Sequence, residues 1–279
     1  TQAKIPEVVM AAGTSSITEA SPFVVRTSFT LAQSSVPMAE WSAKNGIKKV
    51  VTMVSDYGPG IDAEEGFIRA FKEGGGQIVG SVRFPVNNPD FAAFAQRAKD
   101  SNPDGIYAWV PGGNQPAAIG KAFAERGISP KKLAVMGQDA LASEEALASM
   151  GDSGEGIVTA ANYDFNLKNK LNETFVKAFN AEYKRNPDFF SVGGYDGMHV
   201  IYEALKKSGG KTDGESLIAA AKGLKWDSPR GPMSIDPETR DVVQTIYIRK
   251  VEKVNGEPQN VVFDKVENVK DPVKARMKK

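Results

Sequence analysis

The chain has 279 residues, 41% hydrophobic and 25% charged, with a formal net charge of +1. That balance fits an ordinary globular protein and gives no electrostatic case for nucleic acid or an anionic membrane surface as partner. With no cysteine and one histidine, disulfides, thiolate-bound zinc and thiol nucleophiles are excluded.

Short β-rich runs alternate with helical runs along the chain. Strands are predicted at 7–10, 48–55, 77–84, 105–110, 132–137, 156–161 and 242–251. Most are continuous apolar runs, which suit parallel strands buried on both faces. Between them Phe67, Ala70 and Phe71 keep helical spacing, and Gly74-Gly75-Gly76 can end that helix in a left-handed turn. Phe91, Phe94, Ala95 and Ala98 form a second apolar stripe, Phe175, Ala178 and Phe179 a third, and Met198, Ile201, Tyr202 and Leu205 a fourth. Asp62, Asp90 and Ser143 are predicted helix N-caps. Near the end, 246–254 and 261–266 around Asn255-Gly256 read as an antiparallel hairpin. The basic tail 270–279 is expected to fray. The alternation predicts an α/β fold of mostly parallel sheets with helices on both faces. No run approaches the roughly 18 apolar residues of a membrane span. The chain opens at Thr1 without a charged-then-apolar leader, so it is expected to be a processed or partial product.

Candidate chemistry concentrates at the carboxyl ends of the strands, where ligands bind in open α/β sheets. The first strand runs into Ala11-Ala12-Gly13-Thr14-Ser15-Ser16, small and hydroxylic. The next runs into Asp56-Tyr57-Gly58. Trp109 then precedes Pro111-Gly112-Gly113, and Gln138-Asp139 follow Gly137. Repeated polar and aromatic groups at such ends suit a small-molecule cleft, and bare backbone amides favour an anion such as a carboxylate. Neither Gly58-Pro59-Gly60 nor Gly112-Gly113-Asn114 has the spacing of a nucleotide-phosphate loop. Glu64-Glu65 and Glu144-Glu145 read as solvated first-turn charges. His199 sits inside a helical run and reads as structural or solvated. No catalytic constellation, cofactor or metal site is expected, and an enzyme is the least favoured class.

At these residues the chain resembles the periplasmic solute-binding proteins of ABC transporters for branched-chain amino acids and related ligands, the leucine-binding-protein-like family. The resemblance rests on an ordered set of stretches. These are Ala11-Ala12-Gly13-Thr14-Ser15 through Phe23-Val24-Val25-Arg26-Thr27, Val54-Ser55-Asp56-Tyr57-Gly58, Asn88-Pro89-Asp90-Phe91, Val135-Met136-Gly137-Gln138-Asp139, Gly194-Tyr195-Asp196-Gly197 and Gly231-Pro232-Met233-Ser234-Ile235-Asp236.

The resemblance implies a two-lobed type I periplasmic-binding fold with three hinge crossings. Residues 1–30 and 161–245 would form the amino-terminal lobe, and 31–160 and 246–279 the carboxy-terminal lobe. The first part of the amino-terminal lobe would be absent from this chain. The implied function is the extracytoplasmic solute-binding component of an ABC importer, periplasmic, monomeric, and read by a membrane permease. In such a protein Ala12, Gly13 and Thr14 hold the ligand carboxylate. Tyr57 closes over the ligand, Asp139 takes its ammonium group, and Phe190 lines its side-chain pocket.

Two departures bear on the ligand. Asp139 is one methylene shorter than the glutamate common in amino-acid binders. A contacting tyrosine is replaced near Gly113, with Trp109 a few residues upstream. Both make room for a larger or flatter ligand. A branched-chain or other hydrophobic amino acid is therefore set beside an aromatic or aryl-keto carboxylate, and a ligand-sensing receptor domain is the alternative class.

Overall fold

In the computed structural model, which describes residues 1–276, elements alternate in chain order much as the hydrophobic pattern predicts. Strands β1 (Glu7–Val9) and β2 (Val24–Arg26) come first, joined through a short 3-10 turn at Ser15–Glu19. Helix α1 (Leu31–Lys44) then leads into β3 (Lys49–Ser55), α2 (Gly58–Glu73), β4 (Gln77–Phe84), α3 (Phe91–Asp100), β5 (Gly105–Trp109) and α4 (Gln115–Glu125). After β6 (Ala134–Gln138) come α5 (Glu144–Met150) and β7 (Val158–Ala161), then the helices α6 (Lys170–Tyr183), α7 (Phe189–Lys207) and α8 (Gly214–Ala221). Two short strands, β8 (Lys225–Ser228) and β9 (Gly231–Ile235), precede the long pair β10 (Val242–Val254) and β11 (Glu257–Val269), and α9 (Pro272–Arg276) follows.

The chain divides into two compact units. The first holds Thr1–Gln33, Asn162–Ile246 and the segment from Val266 onward, and the second holds Ser34–Ala161 and Tyr247–Lys265.

In the second unit β4, β3, β5, β6 and β7 lie side by side in that order, all parallel; β10 follows antiparallel to β7, and β11 pairs with β10. Central β3 and β5 are apolar and buried on both faces, whereas edge strand β4 alternates between buried and more exposed positions. Helices pack on this sheet through the predicted stripes. Phe67, Ala70 and Phe71 of α2 are buried, as are Phe91, Ala95 and Ala98 of α3. Each buried large side chain contributes about 1.5–3 kcal/mol. Asp90 and Ser143 cap α3 and α5 as expected, accepting backbone N–H groups of the first turn. Asp62 does not cap: α2 starts four residues earlier, at Gly58, with Pro59 in its first turn. Glu64 is a further correction, because it is fully buried rather than solvated. It accepts the hydroxyls of Thr52 and Ser81 and pairs with Arg83 at 2.7 Å. A buried carboxylate needs such partners, and two sheet hydroxyls and a guanidinium supply them. Asn255 and Gly256, both at positive φ, make the tight turn between β10 and β11.

In the first unit β1 and β2 pair in parallel, and β8, β9 and the start of β10 form an antiparallel ladder. Helix α7 corrects the fourth stripe. Met198 and Tyr202 are exposed, and the buried line is Val192, Gly193, Asp196, Gly197, Val200 and Ala204. The cause is close backbone approach: a Cβ on Gly193 would stand 2.2 Å from the Met10 carbonyl oxygen. Small residues win that face because larger ones cannot enter it.

The segment from Val266 groups with the first unit. The tail, expected to fray, is anchored as far as described. Asp271 accepts the N–H groups of Val273 and Lys274, and Lys274 is buried. The Lys274 ammonium donates to Asp241 and to the Thr18 hydroxyl, each at 2.7 Å, beside the buried Arg26. A lysine that reaches a buried carboxylate overrides the fraying that composition alone suggests. The last predicted tail residues, 277–279, lie outside the described residues.

Candidate functional site

The first group of candidate residues lies in the first unit, at the end of β1. Every carbonyl of Ala12, Gly13 and Thr14 is committed to the protein. The Ser28 hydroxyl donates to Ala12 O at 3.0 Å, Leu31 N–H to Gly13 O at 2.8 Å, and Arg26 to Thr14 O at 2.7 Å. Ser28 is itself pinned, since Arg230 and Gln244 both donate to its carbonyl. With its acceptors spent, the loop offers N–H groups and the Thr14 hydroxyl. That donor set suits a carboxylate. A Cβ on Gly13 would lie 2.6 Å from Leu31 Cδ2 and 2.9 Å from Phe29 Cε2, so a larger residue here would have to displace those side chains. Phe29 continues the group: its ring meets Phe189 edge-on at 5.9 Å, and Phe189 lies 4.0 Å from Phe190. Asp188 starts α7 by accepting the Ser191 N–H and hydroxyl, and so fixes where these rings emerge. Phe190 is half exposed.

The second group lies in the second unit, at the carboxyl edge of three adjacent strands. Tyr57 follows β3, Trp109 ends β5, Gln138 ends β6 and Asp139 follows it. Tyr57 is the extended residue before α2, and its ring leans on Trp109 at 5.7 Å with the planes tilted 51°. Burial pushes the Tyr57 hydroxyl up, so it stays protonated at neutral pH. The Trp109 indole N–H donates to Gln138 Oε1 at 3.3 Å.

Asp139 is not a bare anion. Its Oδ1 accepts Arg249 at 2.6 Å, and both side chains are largely shielded, at 17% and 5% exposure. Arg249 stands opposite Thr159 in the β10–β7 ladder and also donates to the Thr159 hydroxyl at 3.2 Å.

The structure thus joins Gly13 to Phe190 through Phe29 and Phe189, and Tyr57 to Trp109. Gly113 joins neither group. It is exposed at a φ of 78° in the turn before α4, and a Cβ there would meet no atom within 4 Å. Phe29, Phe189 and Arg249 are residues that sequence reasoning did not single out for the site. His199 is half-buried, with its ring 5.8 Å from that of Trp226. Among the described residues there is no cluster of three or more metal-ligating side chains, and no helix is long and apolar enough to cross a membrane.

An α/β protein with an anion-suited loop in one unit and an aromatic wall at the strand ends of the other has the equipment of a small-molecule binding protein. The comparisons give the class its family: residues 1–257 match the family described as periplasmic binding protein, and the chain belongs to it. It is similar to a solute-binding protein of an ABC transporter from Rhodopseudomonas palustris BisB5, solved in complex with 3,4-dihydroxybenzoic acid. The two are 56% identical with a TM-score of 0.93, over 98% of this chain and 75% of that one. A second R. palustris solute-binding protein, solved with 4-hydroxybenzoate, is 40% identical with a TM-score of 0.94, over 99% and 75% of the two chains. The Leu/Ile/Val-binding protein homolog 6 of Brucella melitensis is 41% identical over 275 residues, 97% of this chain and 70% of that protein. Family and fold are therefore those of ABC-transport solute-binding proteins with a type I periplasmic-binding fold.

Proposed function

We propose that this chain is the extracytoplasmic solute-binding component of an ABC importer whose ligand is an amine-free aromatic carboxylate of the hydroxybenzoate class. The observation that carries the reading is the Asp139–Arg249 ion pair at 2.6 Å. An amino acid brings a buried ammonium that needs an unspent anion, whereas an aryl carboxylate does not. The Gly13–Thr14 donors suit the carboxylate end, and the Tyr57–Trp109 pair suits a flat ring. The two R. palustris relatives, bound to dihydroxybenzoate and hydroxybenzoate, support the same class.

In this reading the two units act as the lobes of a clamp. Ligand binds one, the other closes over it, and contacts made only in the closed form shift the population. A membrane permease then reads that form. Transport of this kind makes and breaks no covalent bond, so the protein needs no activated nucleophile. We place it in the periplasm, as a monomer. The branched-chain amino-acid reading stays second, favoured by the named Brucella relative.

A thermal-shift panel tests the assignment. At a free concentration of 100 times Kd, a ligand that binds only the native state adds about 2.7 kcal/mol to stability. 4-Hydroxybenzoate and 3,4-dihydroxybenzoate are expected to raise Tm clearly, and leucine at equal concentration to leave it unchanged. A shift with leucine and none with either benzoate overturns the reading.

A further inference from the structure

Gln138 ends β6, is 6% exposed, and stands behind the aromatic wall rather than in it. Its carboxamide has separate donor and acceptor ends, and both are used. Nε2 donates to the Ser35 hydroxyl at 2.8 Å and to the Tyr107 hydroxyl at 3.1 Å, and these two hydroxyls lie 3.0 Å apart. Oε1 accepts the Trp109 indole N–H. A flipped amide would set N–H against N–H at the indole, so the indole contact fixes the orientation. Tyr107 is fully buried, and burial pushes its hydroxyl well above the ordinary range, which keeps its proton in place. Its ring stacks on Phe67 at 4.0 Å, and Phe67 belongs to α2, the helix that Tyr57 introduces.

These contacts close a circuit. Tyr57 precedes α2, Phe67 of α2 stacks on Tyr107, the Tyr107 hydroxyl accepts from Gln138, and Gln138 accepts the indole N–H of the ring that Tyr57 leans on. We propose that Gln138 is a positioning residue that fixes the plane of the Trp109 indole against Tyr57, and so sets the affinity for a flat aromatic ligand without touching it. This rests on the reading of Trp109 and Tyr57 as the ligand-facing wall. Without an acceptor at position 138, a buried indole N–H is left unsatisfied. The ring relieves that by turning toward water, and turning spoils its packing on Tyr57.

A double-mutant cycle on the full chain tests the assignment. Calorimetry with 4-hydroxybenzoate compares wild type, Gln138→Met, Trp109→Phe and the double variant, with thermal melts to check folding. Gln138→Met is expected to weaken binding about tenfold in the wild-type background, the cost of about one unsatisfied hydrogen-bonding group. In the Trp109→Phe background, where no indole N–H exists, it should change affinity by less than about twofold. The same loss in both backgrounds, or no loss in wild type, overturns the inference. A wild type that ignores 4-hydroxybenzoate counts against the proposed function instead, and ligand-free tryptophan emission then decides. Gln138→Met should red-shift the emission only when Trp109 is present; unchanged emission with Trp109 present overturns the positioning role.

Discussion

Replacing Arg249 with Met is expected to destabilise the protein by about 3–5 kcal/mol at neutral pH, the usual cost of removing one partner of a buried ion pair. Asp139 has 17% of its side chain exposed and pairs with Arg249 at 2.6 Å. Once the guanidinium is gone, the carboxylate must stay charged in a poorly solvated place or take up a proton. The Thr159 contacts are lost as well. Adding Asp139→Asn to Arg249→Met removes the orphaned charge and should recover most of the loss. Urea denaturation of the wild type, the single variant and the double variant measures both steps. A single variant that costs less than about 1 kcal/mol would show the pair to be solvent-screened. That result would favour Asp139 as an ammonium receptor.

Gly60→Ala should be the second large effect. Gly60 is buried in the first turn of α2, and a Cβ there would stand 2.0 Å from the Ser55 carbonyl oxygen. The obstacle is backbone at the end of β3, so no side chain can swing aside. Overpacking of this kind costs roughly 1–3 kcal/mol or more. Because the helix start carries Tyr57, moving it should also weaken ligand binding. Gly58→Ala, two residues earlier with open space around it, is the control and should be close to neutral. Melting midpoints and ligand titrations of the two variants read the contrast. Equal behaviour would mean that the α2 start is not held against Ser55.

The strands of the second unit were legible because parallel strands buried on both faces are unbroken apolar runs. β3, β5 and β6 lie within two residues of their predicted ends. The hairpin was legible in Asn255-Gly256 for the same local reason, a turn chemistry written in two residues. Strands β8 and β9 left no comparable mark, since Lys225-Trp226-Asp227-Ser228 and a run beginning Gly231-Pro232 carry little β signal. Helix α7 misled because its large residues face outward and its glycines face Met10, which only the tertiary approach dictates. Glu64 and Lys274 misled likewise: each is a surface residue by composition, buried because distant partners receive it.

The site divides along the same line. Positions at strand ends follow from alternation, so Tyr57, Trp109 and Asp139 could be named from sequence. What occupies them could not. Arg249 is 110 residues from Asp139, and no local pattern announces that the two meet. That pairing gives Asp139 a counter-charge within its own unit. Phe29 and Phe189 were invisible for a similar reason, since their rings join the Gly13 loop to Phe190 only through space.

The central claim is that this protein carries a carboxylate without an amine. Isothermal titration calorimetry of the purified chain with 4-hydroxybenzoate, and separately with leucine, tests it most directly. Saturable one-to-one binding of 4-hydroxybenzoate is expected, with leucine at least about a hundredfold weaker, a gap of about 2.7 kcal/mol. Leucine binding as tightly as 4-hydroxybenzoate, or more tightly, would contradict it.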